Sequence, residues 1–203
     1  MVETTVQEQP QTPVAEPIKK LKLKKKWITL VAPHEFNDAV LGETYVAEAD
    51  RVLGKTISVN LMTLTHDAKK QNMSVTFNVV DVKNNQGTTV LTGFEIPPGH
   101  IKRLTKRSKA KVEDSFEYTT IDKVKMQIKF VAMTRTETHK SKLTLVRLEG
   151  RKFLTEAVKP ISFNEVMMGV VSGNLQRDLK SALKKYHALS AVFIRVAKKM
   201  PHQ

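Results

Sequence analysis

The sequence predicts an α+β fold: a curved or barrel-like antiparallel sheet with a few helices packed on one side and a basic N-terminal arm. Three observations predict it. Apolar and polar residues alternate over 27–94 and again over 111–134, the apolar spacing lengthens to three and four after about residue 142, and a β-branched run at 191–196 returns the chain to the sheet. The chain has 203 residues, 40% of them hydrophobic, which is enough for one core of ordinary size.

Residues 1–18 hold Pro10, Pro13 and Pro17 among polar and acidic side chains. With almost nothing to bury, this leader is expected to stay disordered. Residues 19–200 then form a single domain, with 201–203 as a tail. Its arm reverses the charge at Lys19, Lys20, Lys22, Lys24, Lys25 and Lys26, with Leu21 and Leu23 interleaved, before Trp27 opens the first apolar run. Strands follow over 55–61, 74–82 and 88–94. Between the last two, residues 83–87 are a hairpin connection in which Asn and Gly are available for positive φ.

A short helix is expected over 100–110, with Ile101 and Leu104 turned inward and Pro97–Pro98 blocking its extension upstream. The second hairpin, 111–120 with 123–134, turns at Ile121–Asp122 and carries Val124, Met126, Ile128, Phe130 and Ala132 on one face. Val146, Gly150, Phe153, Leu154 and Ala157 then recur at helical spacing, and Gly150 is expected to weaken that helix. Ser162 and Glu165 have capping-box spacing for a helix that runs through Val171 and closes at Ser172–Gly173. Leu175, Leu179, Ala182 and Tyr186 form the stripe of a last helix, with Arg177, Lys180 and Lys184 on another face.

Charge is the main functional signal. Lys and Arg number 34 against 20 Asp and Glu, giving a net charge of +14 and a pI near 9.9. The excess is gathered into four clusters, at 19–26, 102–111, 135–152 and 177–199. Clustered cations repel one another, so the arrangement implies a polyanionic partner. Membrane binding would need a long amphipathic helix with aromatic residues opposite the basic face, which is not found, and no uninterrupted apolar run is long enough to cross a bilayer. Few aromatics are interleaved with the cations, which favours recognition of RNA backbone and shape over base stacking. The residues expected to touch RNA are therefore Lys19, Lys20, Lys22, Lys24, Lys25, Lys26 and Trp27 in the arm, and Lys102, Arg103, Lys106, Arg107, Lys109 and Lys111 in the second cluster. The third supplies Arg135, Lys140, Lys142, Arg147, Arg151 and Lys152, and the fourth Arg177, Lys180, Lys184 and Arg195.

Catalysis finds little support. The chain has no cysteine, which removes disulfides and thiolate chemistry and fits a soluble protein of the cytoplasm. Its six histidines never take a metal-ligand spacing, and His66–Asp67 reads as a turn rather than a hydrolase dyad. Glu43, Glu48 and Asp50 read as solvated charges. The two glycines at 169 and 173 lack the Lys-Ser/Thr of a phosphate loop. No enzyme activity, cofactor or metal is expected. The alternative within the same chemistry is a free-standing RNA- or DNA-binding regulator.

The run from Lys24 to Asn37, with Lys24-Lys25-Lys26-Trp27 and Ala32-Pro33-x-x-Phe36-Asn37, resembles the opening of the S3Ae (eS1) family of small-subunit ribosomal proteins. The likeness continues at 54–61, 91–94, 101–109, Asp178-Leu179-x-x-Ala182, Tyr186-x-x-Leu189 and 192–196, in order over about 19–199. The chain departs at His187, where members usually have Pro, and at Lys123, where they have Gly. The long C-terminal segment of eukaryotic members is absent, so the archaeal type is the better match. The resemblance implies a structural component of the small ribosomal subunit that binds ribosomal RNA on the platform, near the 3′ end of that RNA and the mRNA exit. Its implied partners are that RNA, neighbouring small-subunit proteins and mRNA near the exit.

Overall fold

The computed structural model describes residues 24–105 and 110–200. The leader, Lys19, Lys20, Lys22, Lys106, Arg107, Lys109 and the tail lie outside the described residues. In chain order the elements are β1 (Lys26–Val31), β2 (Val40–Val46), β3 (Thr56–Asn60), α1 (Leu61–Thr65), β4 (Ser74–Lys83), β5 (Gln86–Glu95) and α2 (Pro98–Leu104). They continue with β6 (Lys111–Thr119), β7 (Lys125–Thr134), α3 (Lys140–Val158), α4 (Phe163–Ser172), α5 (Asn174–Leu183) and β8 (Leu189–Lys199).

The α+β class holds. The eight strands make one sheet in the order β2-β1-β5-β8-β7-β6, with β4 pairing β5 and β3 pairing β4. Two details differ from the expectation. Among the described residues the sheet does not close into a barrel, since β2, β3 and β6 each have one partner there. It is also mixed, because β1 and β5 run parallel, with Thr29 opposite Gln86 and Val31 opposite Thr88. Such a pair joins strands far apart in sequence, so no local turn signal announces it. Gly87 makes it feasible: a Cβ there would lie 2.6 Å from Leu30 Cδ2. The positive φ of the β4–β5 hairpin falls instead on Asn84 (50°) and Asn85 (62°), as a primed two-residue turn requires.

Local rules explain most element ends. Strand β3 stops at Asn60 because its side chain accepts a hydrogen bond from Met62 N–H at 2.9 Å and starts α1. His66, the suspected turn residue, closes α1 in the left-handed conformation (φ 54°). At the start of α4 the capping box is formed from both sides, and Gly173 (φ 86°) closes it. In the β6–β7 turn Lys123 takes φ 58° without being glycine. Here Phe163 N–H donates to the Asp122 carboxylate at 2.9 Å, which ties the turn to α4.

Helices α3, α4 and α5 lie against β6, β5 and β8 respectively. One large core joins them, and a smaller group of Ile28, Leu30, Val52 and Val79 fills the space under β1. Gly150 reverses its expected role. Val146, Gly150, Leu154 and Val158 form the buried row of α3, and a Cβ at 150 would stand 2.7 Å from Phe130 Cζ. The glycine lets the helix approach the sheet. Helix α5 ends at Leu183, one turn short of the expected stripe, and Tyr186 is exposed beyond it.

Candidate nucleic-acid interface

Three of the four basic clusters meet at one rim of the sheet. Strand β6 begins there, β7 ends and β8 begins, because Lys111 pairs with Met133 and Leu189 with Thr134. Buried Thr134 ties the rim together. Its N–H donates to Ala110 O at 3.0 Å, Ala110 N–H donates to its Oγ1 at 3.0 Å, and that hydroxyl donates to Thr136 O at 2.7 Å. One residue further, Arg135 N–H donates to Ala188 O at 3.0 Å. Thr138 Oγ1 and His187 Nε2 stand 2.8 Å apart. The end of α2 reaches the same place, since the Thr105 hydroxyl lies 3.8 Å from Met133 Sδ.

The rim therefore gathers Lys102, Arg103, Lys111, Arg135, Lys140, Lys142, Lys184 and Lys185, all exposed. Lys140 and Lys142 occupy the first turn of α3, which has no acidic residue and no side-chain cap. Cations at the positive end of a helix are locally unfavourable, and helix N-termini favour anions. The first turn of α3 thus breaks a local electrostatic rule on an exposed surface.

The remaining predicted residues separate into groups. Lys24, Lys25, Lys26 and Trp27 precede or begin β1; since β1 runs parallel to β5, whose far end points toward the rim, they sit at the opposite end of the strands. Arg151 is committed to Asp114: its Nε donates to Oδ2 and its Nη2 to Oδ1 at 2.7 Å. Lys152 is 2.8 Å from Glu149, and Lys111 is 2.8 Å from Glu113. The Lys180 ammonium donates to Ser190 O at 3.0 Å, and Arg177 is exposed on α5. Tyr186 donates its hydroxyl to Glu149 at 2.9 Å. That carboxyl is held below its ordinary range by its hydrogen bonds from Lys152 and Tyr186.

Arg195 has another setting. Lys129 pairs with Val196 but Phe130 with Ile194, so Arg195 is the extra residue of a bulge in β8. It lines a cleft of about 480 Å³ with Arg147 and Lys129, beside Glu113 and Asp114. Its Nε is buried and has no hydrogen-bond partner. Sequence reading passed over Lys185 at the rim, Lys129 in the cleft and Tyr45, which stands opposite Trp27 in the β1–β2 pair. Lys185 adjoins a residue already chosen, whereas the other two depend on strand register.

The Asp114 carboxyl is held below the usual carboxylate range, chiefly by its hydrogen bonds from Arg151. A depressed folded-state pKa stabilises the fold above the unfolded value and is lost as pH falls through the folded value. The native protein should therefore lose stability below about pH 4 more steeply than Asp114→Asn, which should already be weaker at neutral pH. Melting curves across an acid series check this; parallel curves would show that the pair adds no pH-dependent stability.

The profile of the ribosomal S3Ae family matches residues 16–201. The chain belongs to this family. The small ribosomal subunit protein eS1 of Archaeoglobus fulgidus is 31% identical over 173 residues, covering 84% of this chain and 82% of that protein. The Haloarcula marismortui eS1 is 30% identical over 171 residues, 84% and 80% of the two chains. That of Sulfurisphaera tokodaii is 30% identical over 174 residues, 86% and 90%. A ribosomal family carries a structural role, and these relatives are archaeal, as the sequence resemblance implied. Among the described residues no group of three or more His, Asp or Glu could hold a metal, and no helix is long and apolar enough to cross a membrane.

Proposed function

We propose that this protein is a structural constituent of the small ribosomal subunit that binds ribosomal RNA and performs no catalysis. The observation that carries the reading is the rim, where cations from three sequence clusters are brought together around a helix start that lacks any acidic residue. The names of the relatives support the particle. The family resemblance supports the platform, near the 3′ end of the RNA and the mRNA exit, with small-subunit proteins and mRNA as further neighbours, in the cytoplasm.

Density-gradient sedimentation of a lysate tests the assignment. The protein should travel with small subunits at high magnesium and leave them as salt is raised, because about 0.9 in log affinity per log salt is lost for each neutralised phosphate. Protein that stays at the top of the gradient at every magnesium concentration overturns the reading. Stoichiometric recovery in subunits counts against a free-standing regulator.

A further inference from the structure

We propose that Trp27 and Tyr45 form a stacking platform for an unpaired RNA base, with Lys24, Lys25 and Lys26 holding the phosphates that flank it. The inference rests on the RNA-binding reading and adds a second kind of contact, at the end of the strands away from the rim. Trp27 lies directly opposite Tyr45 in the β1–β2 pair. The two rings are 4.8 Å apart at their centroids and inclined by 35°. Lys25 Nζ stands 5.5 Å from the Tyr45 centroid.

Folding alone does not account for this arrangement. Ile28 and Leu30, the inward residues of β1, already fill the small core, while Trp27 and Tyr45 point to the solvated face and remain 61% and 51% exposed. Tryptophan is highly buried on average. A cross-strand aromatic pair does stabilise a hairpin, but that contribution does not require so much aromatic surface to remain in water. The tilted pair covers part of the indole and leaves the rest open, as a base needs. Three exposed lysines run directly into the pair, with Glu43 the acidic residue on the same strand face. That charge complements a phosphate backbone rather than an apolar protein surface.

Trp27 is the chain's one tryptophan, so its emission reports the platform directly. The full protein should bind a short oligoadenylate with quenching of that emission, whereas inorganic polyphosphate and an RNA duplex of equal length should bind without it. Trp27→Ala should weaken oligoadenylate binding about tenfold and leave the salt slope unchanged, since stacking releases no counterions. Trp27→Phe should restore most of the affinity, and Tyr45→Ala should show a smaller loss of affinity, with a slightly lower melting temperature because the cross-strand pair is gone. If oligoadenylate binds while emission stays constant and Trp27→Ala binds equally well, the platform is wrong and the RNA reading stands. Emission that responds to neighbouring small-subunit proteins but not to RNA makes the patch a protein contact and also overturns it. Failure of all RNAs to bind removes both inferences.

Discussion

Gly150→Ala is expected to destabilise the protein, although alanine is the better helix former. In an open helix the change would gain about 1 kcal/mol. Here the new Cβ would stand 2.7, 3.2 and 3.4 Å from Cζ, Cε2 and Cε1 of Phe130. Phe130 is 1% exposed and cannot swing out of the way into solvent. Its displacement would be an overpacking of the core, which costs about 1–3 kcal/mol and outweighs the propensity gain at most of that range. Denaturant titration should show a lower midpoint at an unchanged slope. The decisive measurement is the double variant. Phe130→Leu alone leaves a cavity and is destabilising, yet it removes the ring that the Ala methyl strikes, so the two losses should add to more than the pair together suffers. Simple additivity, or a raised midpoint for Gly150→Ala, would show that α3 does not need to approach β7 this closely.

Gly150 also marks the boundary of what the sequence discloses. Its spacing placed it on the buried row of α3, but whether a glycine there is a weakness or a requirement depends on the ring opposite, which belongs to another element. Signals written within a few residues were legible: the Ser162–Glu165 box, the Gly173 stop and the β6–β7 turn at Asp122 all stand where the pattern placed them. The β1–β5 pair was not, since it joins strands far apart in sequence and depends on the close approach that Gly87 permits. The same division holds in the candidate site. Net charge and clustering can be counted along the chain, so the basic stretches were visible. That Thr134 draws three of them to one rim was not, because threonine in a strand carries no sign of which backbone groups it will hold. Nor was the commitment of Arg151 to Asp114, which joins α3 to β6 across 37 residues. Within the third cluster, position in space divides cations paired within the fold, Arg151 and Lys152, from cations with no ion-pair partner among the described residues.

That division supports a second large effect. Replacing Arg135, Lys140, Lys142 and Lys184 together by Gln should lower affinity for ribosomal RNA sharply and leave the protein at least as stable as before. These four have no ion-pair partner among the described residues. Removing them takes away like charges that crowd one rim, including two at the unfavourable end of α3, which relieves repulsion. Each phosphate no longer neutralised should reduce the slope of log affinity against log salt by about 0.9, equivalent to about a factor of eight between 1 M and 0.1 M salt. The control is Arg151→Gln with Lys152→Gln, in the same stretch of sequence. Those side chains are engaged with Asp114 and Glu149, so the control should lower melting temperature and leave the salt slope nearly intact. A thermal loss in the first set equal to that in the second would make the rim cations structural. An unchanged salt slope in the first would place the RNA contact elsewhere on the molecule.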